Sequence, residues 1–174
     1  MFVHDFTFTD APAFEVRQRL IAEPTKWLAS AVNAANQVED KLIVSLGAGI
    51  KSVSLKKRVE IEVSTPRTRG DVLVIPVSWS ATGVKELFPK MQADLEIAPF
   101  GPDKTQLVFL GTYDAPLGPI GRKVDAALLH RIAEASVRTF LELIANALQQ
   151  AHYAGLGINQ TNIGGKAVKT MSTV

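Results

Sequence analysis

The side chains able to do chemistry in this chain are few and widely separated. The 174 residues include three histidines, His4, His130 and His152, and no cysteine. No two of these histidines have the spacing of a metal-binding pair on one helix, so we expect no metal site. Without cysteine the chain has no thiolate nucleophile, no disulfide and no cysteine-bound zinc.

Two glycine-containing segments have a superficial likeness to phosphate-binding loops. Residues 47–52 lack the Gly-Lys-Ser order of such a loop, and no helix pattern follows them. Residues 155–157 contain two glycines but no strand precedes them, which a dinucleotide-binding loop requires. The sequence therefore implies no nucleotide, and no other cofactor is indicated.

A long helix near the C-terminus is the main element that could position the chemical groups. Its apolar periodicity predicts a helix from Pro119 to about Gln150, with Gly118 as the N-cap. Such a helix is about 45 Å long, enough to cross a whole sheet. The arc expected to face the sheet contains Leu129, Ile132, Ala133, Ser136, Val137, Phe140, Leu143, Ile144 and Ala147.

The middle of this arc has small side chains and its beginning has charged ones. Ala133, Ser136 and Ala147 allow either close packing on the sheet or space for a ligand. Arg122 and Asp125 also project from the apolar side, where full burial would be costly. They therefore lie either beyond the sheet or at the mouth of a pocket.

Further polar candidates lie on the helix and on the strands. His130 is at the edge of the apolar arc, whereas Glu134 is predicted to face solvent and to pair with Arg138. The inward strand positions include His4, Trp79 and Tyr113. Tyrosine and tryptophan combine apolar rings with a hydrogen-bonding group, which suits both core packing and a pocket wall.

Alternating apolar and polar residues predict an antiparallel meander of strands. The predicted strands are residues 2–8, 42–46, 53–63, 72–81, 91–97 and 106–113. Phe2, Phe6 and Phe8 share a face of the first strand with His4, and we expect that face to be buried. Two short helices follow, the first capped by Asp10 and the second starting near residue 25.

This order of elements is an α+β layout in one domain, residues 1–152. Residues 153–174 are rich in glycine, asparagine and threonine and are predicted to be a flexible tail. The helices and strands before the tail supply enough apolar side chains for a substantial core, since 47% of the residues are hydrophobic.

Charge and hydropathy narrow the range of partners. The formal net charge is only +2, from 19 basic and 17 acidic residues, so nucleic acid is not expected. A basic cluster around residues 51–69 is interrupted by glutamates and is predicted to be a solvated strand face. No apolar run approaches a membrane span, and no signal-peptide pattern is found, so the cytoplasm is the expected location.

Two stretches of the sequence resemble the START-related SRPBCC superfamily. The first is Asp10-Ala11-Pro12 and Phe14-Glu15-Val16 ahead of Trp27, and the second is Leu110-Gly111-Thr112-Tyr113, the segment 116–125 and His130-Arg131-Ile132-Ala133-Glu134. The resemblance covers about residues 3–150. It implies a helix-grip fold, in which a curved antiparallel sheet wraps around the long helix and encloses a cavity for lipids, polyketides, sterols, quinones or similar molecules.

The resemblance implies a cavity but no catalytic signature, because a fold does not fix a function. The first hypothesis is binding or carriage of a small hydrophobic ligand. The alternatives are a polyketide cyclase or dehydratase type of enzyme, in which Tyr113 or His130 moves protons, and a non-catalytic dimerisation or partner-binding domain with a filled core. The predicted ligand contacts are Trp79, Phe109, Tyr113, His130, Ala133, Ser136 and Phe140, with Arg122 and Asp125 at the pocket mouth.

Overall fold

The apolar patterns of the sequence correspond to helices and strands in the structure, a computed structural model. The structure describes residues 1–24, 26–28, 31, 59–81, 91–113 and 126–157. The strands are β1 (Phe2–Thr9), β2 (Val59–Val63), β3 (Arg67–Arg69), β4 (Val72–Ala81), β5 (Met91–Pro99) and β6 (Thr105–Tyr113). Within the described residues the helices are α1 (Ala13–Ala22) and α2 (Ala126–Gly155), and residues 24, 26–28 and 31 are also helical, where the second short helix was predicted. The predicted α+β class, with an antiparallel sheet and a long C-terminal helix, is confirmed.

The strands form one antiparallel sheet in the order β1-β6-β5-β4-β2, and β3 also pairs with β4. The meander of β4, β5 and β6 is therefore confirmed. The sequence predicted only a turn between β2 and β4. In the structure β3 (Arg67–Arg69) pairs with Val72–Val74 as a hairpin, and the turn between them contains Gly70, whose φ is +57°. The predicted strand at residues 42–46 and the first part of the strand at 53–63 lie outside the described residues.

The inner face of the sheet, which we define as the face toward α2, contains the inward positions expected from the alternation. Residues i and i+2 of a strand share a face, and the inner residues of three neighbouring strands are buried. They are Leu73, Ile75 and Val77 of β4, Met91, Leu95 and Ile97 of β5, and Leu107, Phe109 and Tyr113 of β6.

The predicted orientation of β1 is wrong. Val3 and Thr9 face inward and are buried, whereas Phe2, His4, Phe6 and Phe8 face outward and are exposed. The physical reason is the closeness of α2, whose backbone lies nearer to β1 than to any other strand. Thr9 Oγ1 donates a hydrogen bond to the carbonyl of Ala145 at 2.9 Å. Rings on this side of β1 would push the helix away.

The short helix α1 differs from its prediction at the N-terminus. Pro12 is the N-cap and makes no side-chain hydrogen bond there, while Asp10 lies 3.2 Å from the Lys104 ammonium group instead of capping the helix. Phe14 is exposed, and the buried stripe consists of Ala13, Val16 and Leu20. The helix ends at Ala22, two residues before Pro24.

The long helix α2 continues to Gly155, beyond the predicted end near Gln150. Its buried stripe contains Leu141, Ala145 and Leu148, while Leu143, predicted to be inward, is exposed. The predicted N-cap, the helix start near Pro119 and most of the tail lie outside the described residues, so the division at residue 153 stays a prediction. In the described part of the chain, neither α1 nor α2 is both long enough and apolar enough to cross a membrane.

Candidate ligand-binding site

The C-terminal half of α2 packs directly on the inner face of the sheet through large side chains. Phe140 of α2 meets Phe109 of β6 edge to face, with ring centroids 5.7 Å apart and an angle of 74° between the rings. Ile144 and Leu148 continue this contact and are buried. Edge-to-face geometry is the favourable arrangement of two aromatic rings, so this half of the interface is a well-packed core.

Toward its N-terminus α2 presents small side chains to the interior. Ala133 and Ser136 are 8% and 7% exposed. Among the described residues, nothing forms a hydrogen bond with Ser136 Oγ. A buried hydroxyl left unpaired costs roughly 1 to 3 kcal/mol. This part of the interior therefore contains a polar atom that a bound molecule with a hydrogen-bonding group would satisfy.

A second polar group of the inner face links the end of β6 to α2. The buried Tyr113 hydroxyl lies 3.4 Å from His130 Nδ1. His130 Nε2 lies 3.4 Å from Glu134 Oε1, and these two side chains are 39% and 50% exposed. The three residues form a chain from the interior to solvent, which we call the Tyr113-His130-Glu134 chain.

The roles of the two imidazole nitrogens in this chain depend on the His130 tautomer. In the tautomer in which Nε2–H donates to Glu134, the lone pair of Nδ1 accepts from the phenol. Both distances are at the long end for hydrogen bonds. The main chain of Tyr113 is held by Met1, whose carbonyl accepts a 2.8 Å bond from the Tyr113 amide. This backbone hydrogen bond joins the end of β6 to the start of β1.

Six of the nine predicted site residues lie where α2 faces the sheet: Phe109 and Tyr113 on the inner face, and His130, Ala133, Ser136 and Phe140 on α2. Trp79 lies in β4, where its backbone pairs with Met91 and Ile61, but its side chain lies outside the described part of the structure. Arg122 and Asp125 of the predicted pocket mouth are also outside the described residues. His4 was predicted to face inward and instead lies on the outer face.

Glu134 is a member of the chain that the sequence analysis did not select. The expected pair between Glu134 and Arg138 does not form, since Arg138 Nε binds Asp5 Oδ2 of β1 at 3.1 Å. Glu134 is four residues after His130, and this spacing alone allows side-chain contact on a helix. The spacing was a usable signal, but the nearness of β1, which diverts Arg138, was not visible in the sequence.

A separate cluster joins α1 to the C-terminal end of α2. Glu15 Oε2 lies 2.9 Å from His152 Nδ1 and 3.0 Å from Arg19 Nη1. The hydrogen bond from His152 and the charges of His152 and Arg19 lower the pKa of Glu15 below its usual value. No three metal-binding side chains converge in the described ranges. The cluster acts as a clamp between the two helices.

No family model matches the sequence, and no curated protein matches it. Solved structures do match. A conserved protein from Geobacillus kaustophilus is similar over 87% of this chain and 97% of its own, with a TM-score of 0.51 and 13% identity. The Zhui aromatase/cyclase of a Streptomyces species covers 89% of this chain and 98% of its own, at 11% identity and a TM-score of 0.46.

A protein described as a START superfamily member, from Mycobacterium smegmatis, covers 86% of this chain and 98% of its own, at 11% identity and a TM-score of 0.46. At these identities the matches concern the fold and not the chemistry. The antiparallel sheet and the long C-terminal helix are the arrangement that the sequence resemblance implied. The chain therefore has a helix-grip type of fold, an antiparallel sheet with a long C-terminal helix packed on one face.

Proposed function

We propose that the protein binds or carries a small hydrophobic molecule between the inner face of the sheet and the N-terminal half of α2. The observation that carries the proposal is Ser136 Oγ, a hydroxyl on the sheet-facing side of α2 that is buried and has no partner within the described residues. An apolar compound with one hydroxyl, carbonyl or carboxyl group would complete its hydrogen bonding. Apolar pockets with few polar anchors are typical of small-molecule sites.

The change in side-chain size along α2 supports the same place. Phe140 fills the space toward Phe109, whereas Ala133 and Ser136 fill little of the space one to two turns earlier. The aromatic contact joins the helix to the sheet at the Phe140 level. Small side chains at the Ser136 level leave more room for a ligand than large ones would.

The test is native mass spectrometry of freshly purified protein, followed by solvent extraction and mass analysis of any released compound. A reproducible hydrophobic compound bound in a simple ratio is the expected result. A clean mass of the protein alone, together with no thermal shift in the presence of lipids, quinones or aromatic polyketides, would refute ligand binding. That result would favour the filled-core hypothesis.

A matched pair of variants assigns the site. Ser136→Ala removes the unpaired hydroxyl and should lower retention of the compound at least tenfold. Thr139→Ala is the control, since the Thr139 hydroxyl already donates to the Ala135 carbonyl of its own helix at 3.0 Å. Equal retention by both variants and the native protein would exclude Ser136 as the anchor.

A second candidate function is proton-transfer catalysis on the bound compound, of the cyclase or dehydratase type. The specific observation in its favour is the Tyr113-His130-Glu134 chain, which offers a phenol, a base and a carboxylate that orients the base. A positioned acid or base of this type contributes about 10² to 10⁴ in rate. Binding alone needs no such chain.

The carrier and enzyme hypotheses are distinguished by measuring both the affinity for the bound compound and its turnover. In an enzyme, Tyr113→Phe and His130→Ala would abolish conversion of the compound and leave its Kd nearly unchanged. In a carrier, the compound is recovered unaltered after incubation, and the same variants change only its retention. Glu134→Gln should lower the rate less than His130→Ala, because Glu134 acts through the imidazole.

A further inference from the structure

The outer face of the sheet carries an exposed group of phenylalanines. Phe2, Phe6, Phe8 and Phe100 are 59%, 50%, 38% and 56% exposed. Three of them belong to β1, and Phe100 directly follows β5. We call these four residues the outer aromatic face. Monomeric proteins rarely expose such apolar patches without a binding role.

Three rings of this face contact one another and are held in place. Phe8 lies 4.8 Å from Phe100 and 5.8 Å from Phe6, measured between ring centroids. The Phe100 amide donates to the Lys104 carbonyl at 2.9 Å, which fixes the loop that carries the ring. Side chains that are already ordered lose little conformational entropy when a partner covers them. The outer aromatic face is therefore suited to contact with a partner.

The charges beside the rings are already neutralised. Arg67 binds Asp94 at 2.6 Å and Arg69 binds Glu96 at 2.8 Å across the outer side of β4. Lys104 is likewise paired with Asp10 at 3.2 Å. An anionic lipid surface attracts unpaired cations, and these three are paired. A second copy of the same face would meet no uncompensated like charge from these groups.

The shape of the outer face also suits a second copy. A groove of about 440 Å³ runs beside Phe2, across the outer sides of β6, β5 and β4. Its walls include Pro76, Ser78, Gln92 and Leu110. The face thus combines projecting rings with a recess, so a twofold axis can place the rings of each copy at the recess of the other, as an isologous interface requires.

The available area is in the range of a reversible dimer. Four half-exposed rings supply roughly 400 Å² of apolar surface, and the groove walls extend this toward the approximately 800 Å² per partner of a stable interface. We propose that the outer aromatic face is the self-association surface of this protein, packing sheet on sheet with a second copy. The inner face remains free for ligand, so this proposal is independent of the proposed function.

Sedimentation velocity over a micromolar concentration series tests the proposal on the full chain. We expect a monomer–dimer equilibrium whose Kd increases at least tenfold in Phe6→Lys and in Phe8→Lys. Phe14→Lys is the matched control, because Phe14 is 63% exposed but lies on α1. A native chain that stays monomeric, or a dimer that Phe6→Lys and Phe8→Lys leave intact, would overturn the proposal.

A second measurement covers the case in which the lysine variants do not fold. Carbene footprinting of the native chain at low and high concentration should show protection of Phe6 and Phe100 at high concentration and unchanged labelling of Phe14. Equal labelling of all three rings at both concentrations contradicts the proposal. Protection that requires phosphatidylcholine vesicles and not a higher protein concentration would identify a lipid surface as the partner and also reject the second copy.

Discussion

The inner and outer faces of the sheet both carry phenylalanine, and their surroundings are opposite. Phe109 and Phe140 are completely buried and meet edge to face between sheet and helix. Phe6, Phe8 and Phe100 form a contacting group on the outer face but remain about half exposed. Residue type is therefore a poor guide to energetic role in this protein, and position relative to α2 is a better one.

The polar groups of the two faces differ in their partners. On the outer face, Arg67 and Arg69 are more than half exposed and pair with Asp94 and with the largely buried Glu96. An ion pair with an exposed partner contributes little to stability. Between the inner face and α2, Ser136 Oγ has no partner among the described residues. This buried hydroxyl lies inside, which is why we propose ligand binding there and self-association on the exterior.

The largest expected effect contrasts one ring from each face. Phe140→Ala should lower the free energy of unfolding by about 3 to 5 kcal/mol, because it leaves a cavity against Phe109. Phe6→Ala should change it by less than about 1 kcal/mol in the monomer. Urea unfolding at low protein concentration measures both values. Similar losses in the two variants would remove the distinction between the faces.

The next effect concerns the close approach of β6 to its own aromatic ring. A Cβ atom at Gly111 would lie 2.6 Å from Phe109 Cε1 and 3.0 Å from Ala93 Cβ. Since the Phe109 ring is confined by Phe140, we expect Gly111→Ala to destabilise the fold by about 1 to 3 kcal/mol.

The control for Gly111→Ala is another glycine with space around it. A Cβ at Gly155, in the last turn of α2, meets only Arg19 Nη2 at 3.8 Å. Gly155→Ala should be neutral or stabilise the protein by up to about 1 kcal/mol, as expected for alanine in a helix. Thermal unfolding of the two variants compares them directly. A neutral Gly111→Ala would mean that the ring can move.

A smaller effect is expected at the contact between β1 and α2. Thr9→Val keeps the shape of the side chain but removes the buried hydrogen bond to the Ala145 carbonyl. The expected loss is about 1 to 2 kcal/mol. Thr112→Val on the exposed outer side of β6 should change stability by less than about 0.5 kcal/mol. Chemical denaturation of both variants tests whether the helix depends on β1.

The smallest effect should appear at the clamp between α1 and α2. The pKa of Glu15 is lowered in the folded state, mainly by the His152 hydrogen bond. Its contribution to stability is therefore present above the unfolded pKa of about 4.5 and is lost as the pH falls through the lower folded value. The amount should be under about 1 kcal/mol because the pair is partly exposed to solvent.

Unfolding of the native protein and of Glu15→Gln at neutral and acidic pH measures this contribution. The native protein should be the more stable of the two at neutral pH, and the difference should shrink below pH 4.5. A difference that does not depend on pH would assign the effect to packing and not to the carboxylate charge.

Several parts of the fold and the site were predictable because local patterns determine them. In residues 72–78, 91–97 and 106–113, the alternation placed Leu73, Leu95 and Phe109 and their register partners on the inner face, because successive side chains of a strand point to opposite faces. The pairing of Phe109 with Phe140 and the meeting of Tyr113 with His130 followed the predicted inner registers. The short strand at Arg67–Arg69 was missed because three polar residues give no detectable alternation.

The sequence by itself determined the element order, the long helix and the antiparallel meander, because period and turn residues act within short segments. Only the tertiary structure decided which side of β1 faces inward. The phenylalanine side of that strand is the more apolar one, but the choice follows from the close approach of α2, where Thr9 and Asp5 fit and phenylalanine does not. That choice also created the outer aromatic face and freed Glu134 from Arg138 to join His130.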